Sequence, residues 1–418
     1  MDRTDQTEPS LTLEHRHQRS ARRFYLLSTS FAAVGRNAYY VGAVWVLAVS
    51  GEQAGSIALF LALGSIAEFL VGAPAGRLAD RFDRRYLCMM SDAARIFILL
   101  LTCAALLLPG KPAYVLYSSV ILYAFADRIY LLASSAIIPS IARSGRLVSF
   151  NSLAYIGMQV GNMLAAIAAG WLLDLAPQQL CFLLAAATFA VSCLSMSRIA
   201  VRASDPTVDH LHRSSMSGQT VASERLDRVP LALIVSYILI YAMGMLISAL
   251  ASIFVLQELG GSSTDFGRLE ACWAAGAVAS MSILMLKAFN DADGRAIPII
   301  VMLSGAGMAG FHFMRYLEGA VALMVVLGAG YNLTRVLIDV EIQRRTPSAK
   351  LGLVKGRIHV ACMGLSLVLY AVLAMIGNGI TPSVTFLVFG SGMIVCVAFG
   401  HVIKLVTGKF SFHRRPPP

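Results

Sequence analysis

Several ionisable residues stand inside otherwise apolar runs, where charge is hardest to keep. Arg36 lies beside Asn37 in the run 23–50, Glu68 in 53–78, the neighbours Asp127 and Arg128 in 112–141, and Arg335 with Asp339 in 318–346. A charge at the centre of a bilayer costs roughly 2.5–3.5 kcal/mol on insertion scales, so each needs a partner, a wet cavity or a task. Arg36 and Asp127 can form a static buried pair, or a pair that opens to a polar solute. Helix neighbours diverge by about 100°. Asp127 and Arg128 can therefore border one cavity without aiming at one partner. A proton carrier must change ionisation, as a carboxylate does when it is alternately buried and approached by an arginine. Glu68 and Asp127 fit that role, and Glu270 is a third candidate. Arg335 and Asp339, spaced i, i+4, can instead neutralise each other. Asp92 and Arg95, spaced i, i+3, read as support for the loop that precedes them. Tyr40, Tyr123, Gln159, Asn162, Tyr241, Trp273 and Asn332 can extend a binding surface, although aromatics also favour membrane interfaces. His359, between Lys355 and Arg357, reads as interfacial.

A second concentration of charge is "GRLADRFDRR", Gly76 to Arg85, with four arginines and two aspartates between two apolar runs. Anchoring alone explains the arginines; the order G-x-L-x-D-R-x-x-R-R is more specific than anchoring requires.

The elements that must position these residues are long helices. The chain has 418 residues, 57% hydrophobic and 14% charged, and its mean hydropathy is +0.70. Soluble domains are about 45–50% apolar and about 25% charged. A spanning helix needs about 20 apolar residues. Twelve runs qualify: 23–50, 53–78, 84–108, 112–141, 146–175, 179–200, 229–258, 263–289, 295–314, 318–346, 350–378 and 381–405. The alternating strands of a membrane barrel are not seen, so an all-α membrane protein is expected.

The formal charge of +11 is distributed by topology. Of the 34 Lys and Arg, Lys111, Arg268 and Arg315 stand at odd-numbered loops, and Arg36, Arg95, Arg128 and Arg335 deep inside runs. The rest crowd the even-numbered loops and the two tails, which predicts twelve transmembrane helices with both termini cytoplasmic. That distribution argues against nucleic acid as a partner and for a lipid bilayer. The seven cysteines lie in or beside apolar runs without a CxxC pair and read as buried free thiols. Neither a metal nor a cofactor is expected.

The expected organisation is a cytoplasmic N-terminal tail 1–22, a six-helix bundle 23–200, a cytoplasmic linker 201–228, a second six-helix bundle 229–405 and a tail 406–418. The tail 1–22 lacks a small-residue cleavage site and is expected to be retained. The linker, "VRASDPTVDHLHRSSMSGQTVASERLDR", is polar and lacks a long apolar run. Self-similarity of the halves is weak: "NDADGR", Asn290 to Arg295, keeps little of "ADRFDRR". "GNMLAAIAAG" (Gly161 to Gly170) and "GAGMAG" (Gly305 to Gly310) place small residues where helices can approach closely.

Gly76, Leu78, Asp80, Arg81, Arg84 and Arg85 together resemble the loop motif of the major facilitator superfamily, which usually has a second glycine where this chain has Asp83. "DRFDRR" is similar to a bacterial exporter subgroup that includes macrolide efflux proteins and the enterobactin exporter. "SDAAR" (Ser91 to Arg95), "IIPSIARSGRLVSFNSL" (Ile137 to Leu153), "QVGNMLAAIAAGWLL" (Gln159 to Leu173) and "IQRRTPSAKLGLVKGRIHVA" (Ile342 to Ala361) resemble the same subgroup. The resemblance covers roughly 23–400. It implies two six-helix halves, with helices one, four, seven and ten lining a cavity. Arg36, Asp127/Arg128 and Arg335/Asp339 fall on three of these.

The resemblance further implies a monomeric secondary transporter in the bacterial inner membrane, acting as a proton-coupled antiporter in efflux of a small-molecule substrate. A lipid or lysophospholipid transporter, or an importer, remains open, as does a non-transporting membrane sensor. No P-loop, H-E-x-x-H or G-x-S-x-G occurs, so enzymatic chemistry is not expected. In the family the motif aspartate holds a cytoplasmic gate, and a bias of about 1–3 kcal/mol shifts a two-state population 5- to 150-fold. Asp80→Asn is therefore expected to insert normally and to cycle poorly. Wild-type flux from a correctly inserted variant would leave Asp80 an anchor only.

Overall fold

The computed structural model describes residues 8–51, 54–141, 147–199, 230–284, 296–346, 348–376 and 379–411. The linker 201–228, the stretch Asn290 to Arg295 and the side chain of Asp80 lie outside the described residues.

Regular structure among the described residues is helical: α1 (Glu8–Val49), α2 (Ala54–Arg81), α3 (Arg84–Ala105), α4 (Pro112–Ile141), α5 (Leu147–Leu175), α6 (Gln179–Ser197), α7 (Leu231–Ile253), α8 (Ser263–Leu284), α9 (Ala296–Gly310), α10 (Leu317–Arg345), α11 (Ser348–Ile376) and α12 (Pro382–Ser411). A π-helical turn, Phe254–Glu258, extends α7, and a 3-10 turn, Phe311–Phe313, follows α9. In hydrocarbon each backbone amide must be satisfied within its own segment, which a helix does. Ten of these helices are long and apolar enough to cross a bilayer. The other two are α1, interrupted by Arg36 and Asn37, and α8, which carries Arg268 and Glu270.

Two ends differ from expectation. Helix α1 begins at Glu8 inside the expected tail 1–22, and α12 runs to Ser411 inside the expected tail 406–418. Between Ser10 and Arg23 there is neither Gly nor Pro, so nothing in the sequence stops the helix at the end of the apolar run. All seven cysteines are free, but Cys396 is exposed and Cys193 and Cys272 are partly so. Large apolar side chains are exposed on many helices, among them Phe97, Trp171, Met375 and Val388. Lipid can cover such a surface; water would not tolerate so much of it.

The chain divides into two compact units, Met1–Glu52 with Leu59–Ala222, and Gln53–Ala58 with Ser223–Pro418. In the first, α1 packs on α5 and α6, and α3 on α4 and α6. In the second, α7 packs on α11 and α12, and α9 on α10 and α12. These are the same pairs, six helices on. Four pairs of the parallel repeat that the sequence scarcely shows thus recur in the packing, while the close packing of α8 on α10 is a feature of the second unit.

Small residues set several crossings. A Cβ on Gly161 of α5 would come within 2.7 Å of the Ser30 carbonyl oxygen of α1. A Cβ on Gly305 of α9 would come within 2.8 Å of the Gly390 carbonyl oxygen of α12. Backbone cannot yield as a flexible side chain does, so a larger residue must separate the helices. Gly161→Val is expected to cost about 1–3 kcal/mol, as overpacking does. Thermal unfolding of purified protein checks it, with Gly364→Ala, where a Cβ meets nothing within 4 Å, as the near-neutral control.

Candidate functional site

The loop motif lies at one end of the first unit. Asp83 caps α3: its carboxylate accepts the Arg85 backbone N–H at 2.8 Å. That gives the departure from glycine at this position a structural use. The Arg84 guanidinium donates to the Ala136 carbonyl at 3.0 Å, and Arg85 donates to the Ser197 carbonyl. Arg22 donates to the Ile141 carbonyl at 2.8 Å. Ile141 and Ser197 are the last residues of α4 and α6, where cations complement unpaired carbonyls and the helix dipole. Arg81 is exposed at the end of α2, and Gly76 lies one turn before it.

Deeper in the same unit the charges form one chain. Arg95 has no exposed surface. It donates to Asp127 at 2.7 Å and is ion-paired to Asp92. Its guanidinium carbon lies 4.2 Å from the ring centroid of Tyr130 and 4.1 Å from that of Phe189. A guanidinium stacked on aromatic faces gains cation–π attraction in addition to its ion pairs. Arg36 reaches the same Asp127 carboxylate, its Nε 3.2 Å from Oδ2 and 3.3 Å from Oδ1. The order is Asp92, Arg95, Asp127, Arg36: alternating in sign and neutral in sum. The second oxygen of Asp92 accepts from Ser192 at 2.8 Å, and Ser192 meets Ser28 at 3.0 Å. Four helices, α1, α3, α4 and α6, are tied through this chain.

The sequence reading pairs Arg36 with Asp127, and the structure has them in contact. It assigns Asp92 and Arg95 to the preceding loop; instead they face the core, and Arg95 is the link to Asp127. Ser28, Tyr130, Phe189 and Ser192 complete the network without any mark in the sequence analysis. Tyr130 was the one recoverable from spacing, because it lies one turn after Asp127.

Only one end of the chain is accessible: the Arg36 side chain is 22% exposed and that of Asp127 2%. Glu68 lies within electrostatic reach of Asp127, Arg128 and Arg36. Among the described residues it makes no hydrogen bond or ion pair. The Arg128 Nε, also without a hydrogen-bond partner there, lies 3.9 Å from where a Gly72 Cβ would be, one helical turn from Glu68. Asn37 donates to the Asn162 carbonyl at 2.7 Å, and Asn162 to Gln159 at 2.9 Å, so these three candidates bond to one another. Tyr40 and Tyr123 belong to an aromatic cluster in which Tyr39 stacks on Tyr123 at 4.2 Å.

In the second unit Arg335 and Asp339 lie on α10, within electrostatic reach of Tyr237 on α7. The Arg335 guanidinium is 5.4 Å from the Tyr331 ring centroid. His359 is exposed and meets Tyr241 edge to face at 6.4 Å. Glu270 and Trp273 line a cavity of about 140 Å³ with Tyr331.

Removing one partner of a buried ion pair leaves an uncompensated charge and costs roughly 3–5 kcal/mol. Arg95→Leu, which strands Asp92 and leaves Asp127 only the partly exposed Arg36, is expected to lose most folded, monodisperse protein in size-exclusion chromatography. Arg36→Gln, at the accessible end, is expected to retain it.

No curated protein sequence matches the chain. By structure it is similar to crystal structures of three kinds of transporter, each at low identity. The nucleoside transporter NupG is 15% identical with a TM-score of 0.67, covering 93% of this chain and 99% of that one. A POT family transporter in complex with a thioalcohol-conjugated peptide is 12% identical with a TM-score of 0.71, covering 92% and 96%. The D-xylose-proton symporter is 14% identical with a TM-score of 0.69, covering 91% and 96%. The sequence itself matches the Major Facilitator Superfamily profile over residues 25–377. With the helical architecture and its ten apolar spans, that match makes this chain a multi-pass membrane protein belonging to the Major Facilitator Superfamily of transporters.

Proposed function

We propose that the protein is a secondary active transporter that exports a small organic compound, such as a drug, a siderophore or another metabolite, by alternating access and in exchange for protons. In this reading α1 and α8 join the ten apolar spans, giving twelve transmembrane helices with both termini cytoplasmic. The halves are 23–200 and 229–405, joined by the cytoplasmic linker 201–228, in a monomer of the bacterial cytoplasmic membrane. The alternation of Lys and Arg between loops supports the orientation. The exporter-like loop motif supports the direction.

One observation carries the mechanism: a neutral, buried chain of charges whose accessible end, Arg36, lies within electrostatic reach of a carboxylate, Glu68, that makes no ion pair among the described residues. An ionised Glu68 draws Arg36 or Arg128 toward it. A proton delivered to the carboxylate releases them, and the proton leaves to the cytoplasm when the arginine returns. Arg36 freed from Glu68 can hold Asp127 or a polar group of the substrate. Gly76, Asp80, Arg81, Arg84 and Arg85 act as the cytoplasmic gate, with Arg84 and Arg85 fixing it to the ends of α4 and α6. Arg335 and Asp339 supply a second polar surface on α10.

The test compares metabolite profiles of cells with and without the protein, with and without an uncoupler, followed by flux in reconstituted vesicles. Uncoupler-sensitive efflux is expected, and Glu68→Gln is expected to lose at least ten-fold of the gradient-driven rate. Undiminished gradient-driven flux in Glu68→Gln would remove Glu68 as carrier. Ligand binding without flux would favour a sensor, and selective movement of lysophospholipid would favour a lipid transporter.

A further inference from the structure

The cavity in the second unit is lined from α7 by Gly244, Met245 and Ser248, from α8 by Glu270 and Trp273, and from α10 by Tyr331. Its volume, about 140 Å³, equals a few waters at about 30 Å³ each and is well below the 300–1,000 Å³ of a whole drug-sized site. It can hold one chemical group of a larger molecule.

Its lining contains one carboxylate and two aromatic rings, and neither Lys nor Arg. Glu270 makes no hydrogen bond or ion pair among the described residues; nearby Arg268 is engaged with Glu318 at 2.9 Å and Asp265 at 3.7 Å. The Trp273 and Tyr331 rings lie 5.3 Å apart, tilted by 49°. They are held there by the backbone. Gly328 of α10 lies against the Trp273 carbonyl, and Gly276 of α8 against the Val325 carbonyl, so α8 and α10 cross with little between them. Gly244 makes room for the second ring: a Cβ there would meet the Tyr331 Cε2 at 2.8 Å. Tyr370 donates to the Met245 sulfur at 2.9 Å and fixes that wall. Tyr331 already has one cation beside it, Arg335 at 5.4 Å.

A carboxylate without a counter-ion, beside two aromatic faces in one small recess, is complementary to an alkylammonium group: the charge meets Glu270 and its methyl or methylene surface meets the rings. We infer that Glu270, Trp273 and Tyr331 form a subsite for the cationic ammonium group of the transported compound, so that the substrates include amines. This rests on the transporter reading above for the word substrate, but not for binding itself.

The test uses choline and its neutral carbon isostere, 3,3-dimethylbutan-1-ol, on purified protein without a gradient. Trp45→Phe with Trp171→Phe leaves Trp273 as the one tryptophan of three. Saturable change of its fluorescence is expected with choline, at least ten-fold weaker with the alcohol. Glu270→Gln is expected to abolish the difference and Glu270→Asp to restore part of it. Thermal shift of the otherwise wild-type protein, and of Glu270→Gln in that background, gives the same ordering if the Phe substitutions disturb folding. Equal response to both compounds, or an unchanged preference in Glu270→Gln, overturns the subsite. Gradient-driven flux that ignores Glu270 would overturn it while leaving the transporter intact. Choline-selective binding with no flux of any amine would retain the subsite and remove the transporter reading instead.

Discussion

A guanidinium with no exposed surface is the constraint around which the first unit is arranged. Arg95 cannot be hydrated, so every helix that touches it must bring something that receives a positive charge. Helix α3 brings Asp92, α4 brings Asp127 and Tyr130, and α6 brings Phe189. On each helix the contributing residues are three apart: 92 and 95, 127 and 130, 189 and 192. That spacing puts each pair on one face. A rotation of any of these helices by one residue turns its pair away and strands the charge. The ion chain therefore specifies the rotational setting of its helices, which apolar contact in lipid specifies weakly.

The second unit repeats four of the helix pairs and replaces the means. Its counterpart of the α3–α6 contact is α9 against α12. Helix α9 carries no charge within Ala296–Gly310, and the contact is backbone on backbone at Gly305 and Gly390. One repeat thus fixes its setting by charge neutralisation, the other by close approach of small residues. This explains why self-similarity is faint in the sequence: pairing is preserved while the side chains that enforce it are not.

The helical class, the positions of most spans and the family were legible because they depend on one-dimensional properties. Apolar run length gives α3, α4 and α6 their starts at residues 84, 112 and 179, and a ten-residue loop carries enough pattern to resemble a family. The contact of Arg36 with Asp127 was legible from cost alone, since two opposite charges deep in apolar runs each require compensation. What was not legible depends on rotation about helix axes. Asp92 and Arg95 were read from their nearness in sequence to the loop, whereas the face they occupy turns them to Asp127. Ser28 and Ser192 are ordinary small polar residues, with nothing in the sequence to mark them. Helix α1 exceeded its apolar run because hydropathy marks where a helix is wet, and does not mark where it stops.

The two arginines on Asp127 are unequal, and that inequality gives the buried chain its use. Detaching Arg95 would leave Asp92 and Asp127 without their shared counter-ion in a dry interior, a loss of the order of 3–5 kcal/mol for even one broken pair. Detaching Arg36 leaves Asp127 still paired to Arg95. It frees a guanidinium whose side chain is 22% exposed, so it costs less than breaking a pair with no exposed surface. The second change is the smaller and the nearer to the roughly 1–3 kcal/mol that couples a ligand to a conformational equilibrium; the first exceeds it. In the proposed cycle Arg36 is the arginine that exchanges partners among Asp127, Glu68 and an incoming solute, while Arg95 keeps the helices that present them in register.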